Sequence, residues 1–269
     1  GHARMWSDLT ISSITKHLTQ RLVEGVRPNC EKAWRRRIQG SIAWNDIWKS
    51  IGTELSDATE EKQWRKLLHR AIFVRGKDSS APTCACRLGC PDTESMLHLF
   101  ECMHSKPLWT ACLNFIKDLG CGRPDRRLQG LIFGQWTDNK LGPPEARALL
   151  RHAFRALYRS LTLFEIENRP FVWQCVFKSA LVAIKLALLR RAQKVKVQYA
   201  NSAHASAAHH APPRDSDKFF PRLIDMEDQG SYALTPAFQT ALVNAEAAAK
   251  TELTRREVAR AARHQRRHN

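Results

Sequence analysis

Cys86, Cys90, His98 and Cys102 stand in the order C-x3-C-x7-H-x3-C, the sharpest chemical signal in the chain. Thiolate and imidazole are the donors of tetrahedral structural metal sites, which close on four protein ligands and leave no position for water. Gly89, between the first two thiols, supplies the backbone freedom that a tight thiolate turn requires. His98 and Cys102 are four residues apart and so share one face of a helix. Leu97, Leu99 and Phe100 beside them can pack under an ion. The set predicts one structural zinc. Its register stays open at this point, because Cys84 could replace Cys86 or Cys90, and His104 could replace Cys102. The blander reading of the same residues is a group of buried free thiols around a core-facing His98.

The chain has eight Cys in 269 residues, and those from Cys84 to Cys121 are crowded together while Cys30 and Cys175 stand alone. That is too sparse for a secreted disulfide framework. The opening GHARMWSDLT lacks the continuous apolar stretch of an export signal. Clustered thiols without such a signal point to a metal site in the reducing interior of a cell. Opening on Gly1 rather than Met, the sequence is expected to be a piece of something longer. Phe171 to Leu189 is nearly all apolar, but Lys178 and Lys185 lie seven apart on one helical face, so a long, mostly buried helix is expected rather than a membrane span.

The charge balance is strongly basic, with 43 Lys and Arg against 26 Asp and Glu, a formal net of +17. A polyanion is therefore the first partner to consider. The basic charge is unevenly placed: residues 81–125 carry a net −1, whereas residues 126–199 carry +10. Arg147, Arg151, Arg155 and Arg159 recur every four residues, a gently drifting stripe with steps of about 6 Å along a helix. Like charges at that spacing repel one another, which favours an anion lying across them. Arg256, Arg260, Arg263 and Arg267 form a second stripe, and Arg35, Arg36 and Arg37 beside Trp34 a third cluster. All of these are candidate nucleic-acid contacts, with Trp34 read as a core residue rather than a base-stacking platform.

The elements that must hold these groups read as mostly helical. Residues 1–80 form an N-terminal Trp-rich helical region, with helices expected over 5–24 and 30–39, around Trp44 to Ile51, and from Thr59 through Ile72. Residues 81–125 are the zinc-binding element, and 126–199 a basic helical region with helices over 144–166 and 171–199. Residues 200–235, beginning with NSAHASAAHHAPP, read as a partly disordered linker, and Pro236 opens an Arg-rich C-terminal helix over 236–269. The fold class is all-α: a helical domain with a small irregular CCHC zinc-organised element and a basic C-terminal helix.

The segment CRLGCPDTESMLHLFECMHSKPLW resembles the zinc-binding element downstream of the reverse transcriptase domain in non-LTR (LINE-type) retrotransposon polyproteins. The resemblance is carried by Cys86, Cys90, Glu94, His98, Leu99, Phe100, Cys102 and Trp109. It is clear over about residues 80–110 and weaker over about 30–165. The first and last gaps of this chain are both three, where two and four are usual in the family. The resemblance implies a non-catalytic, nucleic-acid-binding segment acting in the nucleus, on element RNA, target DNA or both, together with the remainder of the polyprotein.

Polymerase chemistry is excluded, because no adjacent Asp pair exists to hold two metal ions. Neither a phosphate-cradling Gly loop nor a nucleophile elbow is present. Two other readings are open. One is a zinc-braced protein-interaction module. The other is a metal-dependent, restriction-like nuclease, in which Arg123-Pro124-Asp125 is followed by Asp138 and Lys140. The intervening RRLQGLIFGQWTD shows only a short apolar patch broken by Gly130 and Gly134, a poor basis for the strands such a site needs.

Overall fold

The computed structural model describes residues 29–51, 58–77, 85–138, 140–167, 171–205, 223–226 and 232–268. The chain divides into two compact units, Gly1–Gly40 and Ser41–Asn269, so the boundary falls inside the expected 1–80 region. In the first unit the helix α1 (Asn29–Arg35) is described, with Trp34 buried and Arg35, Arg36 and Arg37 exposed. The helix expected over 5–24 lies outside the described residues.

The second unit is built from helices α2 (Trp44–Ser50), α3 (Ala58–Leu68), α4 (His98–Glu101), α5 (Lys106–Asp118), α6 (Arg127–Phe133), α7 (Pro144–Glu167), α8 (Trp173–Ala205) and α9 (Pro236–His268). Among its described residues there are also two small antiparallel strand pairs, β1 (Gln135–Thr137) with β2 (Lys140–Leu141), and β3 (Ile224–Met226) with β4 (Tyr232–Leu234). The described chain is thus mostly helical, as its apolar periodicity requires. Two departures have local causes. Residues 127–133, read as a broken apolar patch, form α6. Gly134 ends that helix in the left-handed conformation at φ 66°, and Gly130 lies where a Cβ would collide with the Pro124 ring. At the other end of the basic region, α8 continues to Ala205, and the β3–β4 pair falls inside the expected linker.

The core is a ladder of aromatic rings. Trp64 of α3 meets Phe154 of α7 edge-on at 5.9 Å, Phe154 stacks on Phe100 at 5.6 Å, and Phe100 stacks on Trp109 of α5 at 5.0 Å. Each such contact adds about 0.5–1.5 kcal/mol beyond the area it buries. Phe100 belongs to the Cys/His segment, so this ladder ties that segment to the main helices. Gln135, fully buried, accepts from the Ala43 N–H at 3.0 Å and donates to the Ser41 carbonyl at 2.7 Å, fixing the entry to α2 against β1. On α8 the face carrying Ala180, Leu181, Ile184 and Leu188 is buried, while Lys185 is exposed and Lys178 reaches Glu246 of α9 at 2.7 Å. Among the described residues no helix is long and apolar enough to cross a membrane.

Candidate metal centre

The first two thiols lie in a tight turn. The Gly89 N–H bonds the Cys86 carbonyl at 2.9 Å, with Gly89 at φ 92°, a conformation that glycine alone adopts freely. The Cys86 N–H bonds the Asp92 carbonyl at 3.0 Å, and an isolated bridge pairs Ala85 with Thr93. The third group, His98, opens α4, where Ser95 Oγ accepts its N–H at 3.1 Å, and the fourth, Cys102, caps the C-terminal end of that turn, its N–H bonding the His98 carbonyl. After a single turn the chain leaves α4, and the Leu99 carbonyl is taken up by Ser105 Oγ at 2.8 Å and by Trp109 Nε1 at 3.0 Å. Trp109 therefore both stacks on Phe100 and ties down the carbonyl beside it.

These two pieces bring four donor atoms, from Cys86, Cys90, His98 and Cys102, within 4.8 Å of one another. Cys86 Sγ to Cys102 Sγ is 3.9 Å, and Cys102 Sγ to Cys90 Sγ is 3.6 Å. Two thiolates on a tetrahedral ion with metal–sulfur bonds of ~2.3 Å stand about 3.8 Å apart, so these separations suit one. Cys90 Sγ to His98 Nε2 is 3.0 Å, where a shared tetrahedral ion asks for about 3.5 Å. A half-ångström outward movement of the imidazole accommodates it. The three thiols are free and buried, and His98 is half-buried. Burial pushes the Cys86 and Cys102 thiols up, so a cation entering here displaces protons as it binds. The residues fit a closed metal site.

Of the alternates, His104 is half-buried and stands outside the converging group, so Cys102 takes the fourth position; Cys84 lies outside the described residues. Among the described residues no other group of three or more ligand-type side chains converges. Asp125 sits exposed in a loop, Asp138 is ion-paired with Arg126 at 3.3 Å in the turn after β1, and Lys140 is exposed on β2. Among the described residues neither Asp125 nor Asp138 belongs to a converging group of three or more ligand-type side chains.

One feature of the element was not foreseen. Arg87, between the two thiols, is buried and ion-paired with fully buried Glu94 at 2.6 Å. Glu94 also accepts the backbone N–H groups of Arg87 at 3.0 Å and Arg75 at 3.2 Å. Arg87 Nη1 reaches Glu165 of α7 at 3.1 Å, and its guanidinium lies 5.2 Å from the Phe73 ring centre. Burial alone would raise the Glu94 carboxyl, but the Arg87 hydrogen bonds outweigh it and hold the group below its ordinary value. The sequence signal was Glu94, already prominent in the resemblance; its partner Arg87 lies seven residues upstream. Glu165 is 78 residues from Arg87 and left no local trace.

The arginine stripe on α7 is corrected by its burial. Arg151 is inside the protein, donating to Ser50 Oγ at 2.8 Å and lying 5.4 Å from the Trp64 ring centre, so its guanidinium is not offered to a phosphate. Arg155 is ion-paired with Glu60 at 2.7 Å, and the Arg147 side chain packs over Gly134. Arg159 is exposed. The reason is that the first half of α7 is buried almost all round, from Glu145 to Phe154, so a four-residue spacing there enters the core. On α9, Arg256 is paired with Glu252 at 2.8 Å and Arg260 is exposed; the side chains of Arg263 and Arg267 lie outside the described residues. Searches of family models, curated proteins and solved structures find no match to this chain.

Proposed function

We propose that the chain is a zinc-binding, nucleic-acid-binding segment of a non-LTR retrotransposon reverse transcriptase polyprotein, non-catalytic by itself and acting in the nucleus. The observation that carries this reading is the convergence of Cys86, Cys90, His98 and Cys102, four of the eight residues that carry the resemblance. Three thiolates and an imidazole are soft and borderline donors that suit zinc, and a closed set of four makes the ion a structural brace. When bound, zinc would join the Cys86–Cys90 turn to α4; such ligation is worth about 10–16 kcal/mol in small peptides. The chain's own residues then carry this order outwards. Arg87 and Glu94 hold the loop against α7, and Phe100 and Trp109 hold α4 against the helices.

Phosphate contacts fall to Arg35, Arg36 and Arg37, exposed cations of the first unit. Element RNA and target DNA are both polyanions that such groups can meet, with the rest of the polyprotein as the neighbouring partner. The test has two parts. Elemental mass spectrometry of protein purified without added metal should find about one zinc per chain, lost in His98→Ala. Binding to single-stranded RNA and duplex DNA should weaken steeply with salt and weaken further when Arg35, Arg36 and Arg37 are replaced by Glu. Zinc-free folded protein, or binding indifferent to salt, refutes the reading.

A further inference from the structure

Helices α7, α8 and α9 enclose a long open groove of about 1460 Å³ on the second unit. One wall runs from Val172, just before α8, along that helix to Arg190, a length of about 27 Å at helical rise. The floor is aliphatic, formed by Leu163, Val172, Val176, Ala183, Leu186 and Leu253. Two of these large side chains are left substantially in solvent, Leu186 at 47% and Leu253 at 46% exposure. The rim is basic. Arg155, Arg255 and Arg256 are engaged by Glu60 and Glu252, whereas Arg159, Arg190 and Arg260 make no ion pair among the described residues.

We propose that this groove docks an acidic amphipathic helix of a partner protein. Its length matches a helix of about 18 residues, or five turns. An amphipathic helix lays its apolar face on such a floor and keeps its polar face at the rim, where carboxylates meet Arg159, Arg190 and Arg260. Nucleic acid fits less well. Single strands are held by stacking bases on rings, and among the described lining residues the only ring is the His152 imidazole. Aliphatic floor with cationic rim calls for aliphatic side chains with carboxylates. This surface is separate from the metal centre, and the proposal does not rest on the zinc or nucleic-acid reading.

The test is fluorescence anisotropy on the full chain with a labelled synthetic helix of about 18 residues, Leu at i, i+3, i+4 and i+7 and Glu at most other positions. A scrambled peptide of the same composition is the control. The apolar register should give at least about tenfold tighter binding than the scramble. Leu186→Asp and Leu253→Asp should each remove most of that advantage, with circular dichroism unchanged because both side chains are half in solvent. Arg159→Glu with Arg260→Glu should weaken the peptide by a similar factor. Equal binding of the scramble, or variants without effect, overturns the proposal. A single-stranded oligonucleotide whose binding is lost in Leu253→Asp would also overturn it, by giving the groove to nucleic acid.

Discussion

Replacing Glu94 by Gln tests how the metal element is held to the helical body. The side chain is fully buried and takes Arg87 Nη2 at 2.6 Å, Arg87 Nε at 2.9 Å, and the backbone N–H groups of Arg87 and Arg75. Gln has the same shape, but it removes the charge and turns an NH2 towards donors. Breaking a buried pair from one side costs about 3–5 kcal/mol, because the surviving charge is left in a low-dielectric interior. Arg87 keeps its contact with Glu165, which is 31% exposed, so the lower end, about 3 kcal/mol, is expected. The assay is urea denaturation of the metal-loaded protein, with the midpoint shift converted through the measured slope. A companion variant, Arg87→Met with Glu94→Gln, removes both charges while keeping an amide oxygen for the two backbone N–H groups, and should cost less than Glu94→Gln alone.

The same residue sets an acid limb. Glu94 titrates below its ordinary value of 4.5, so the stability it contributes is complete above that pH and is lost as pH falls through the depressed value. Glu94→Gln should therefore flatten the dependence of stability on pH at the acid end. A single variant within about 1 kcal/mol of the parent, or a double variant as costly as the single, would refute the account of Arg87 and Glu94 as a buried pair.

Three other perturbations probe separate parts of the molecule. Arg151→Glu should destabilise the fold by about 3 kcal/mol or more, because it buries an unpaired carboxylate beside Trp64, whereas Arg159→Glu should leave thermal stability nearly unchanged; both are read from denaturation midpoints. Gly134→Ala should cost about 1 kcal/mol or more, since the left-handed φ of 66° is unfavourable to Ala and its Cβ would press on the Arg147 side chain; the same assay measures it. Chelator added to protein loaded with zinc at the proposed site should raise hydrogen exchange across residues 85–102 while α7 and α8 stay protected, because those helices have their own aromatic and aliphatic core; simultaneous loss of protection everywhere would contradict it.

Much of this protein is written locally. Spacing alone singled out Cys86, Cys90, His98 and Cys102, because a turn between two thiols and one helical turn between imidazole and thiol are short-range geometries. Apolar periodicity likewise placed the helices around Trp44, Trp64, Phe154 and Leu181, since each must turn one face to a core. It could not say which side of α7 the arginines would occupy. A four-residue spacing gives a face, but whether that face meets water depends on what packs there, and Ser50, Glu60 and Trp64 arrive from α2 and α3. The Arg87–Glu94–Glu165 network and the groove arise from the same kind of long-range approach. The network joins residues 78 positions apart and the groove lining runs from Glu60 to Arg260, a proximity that arises only when the helices have packed.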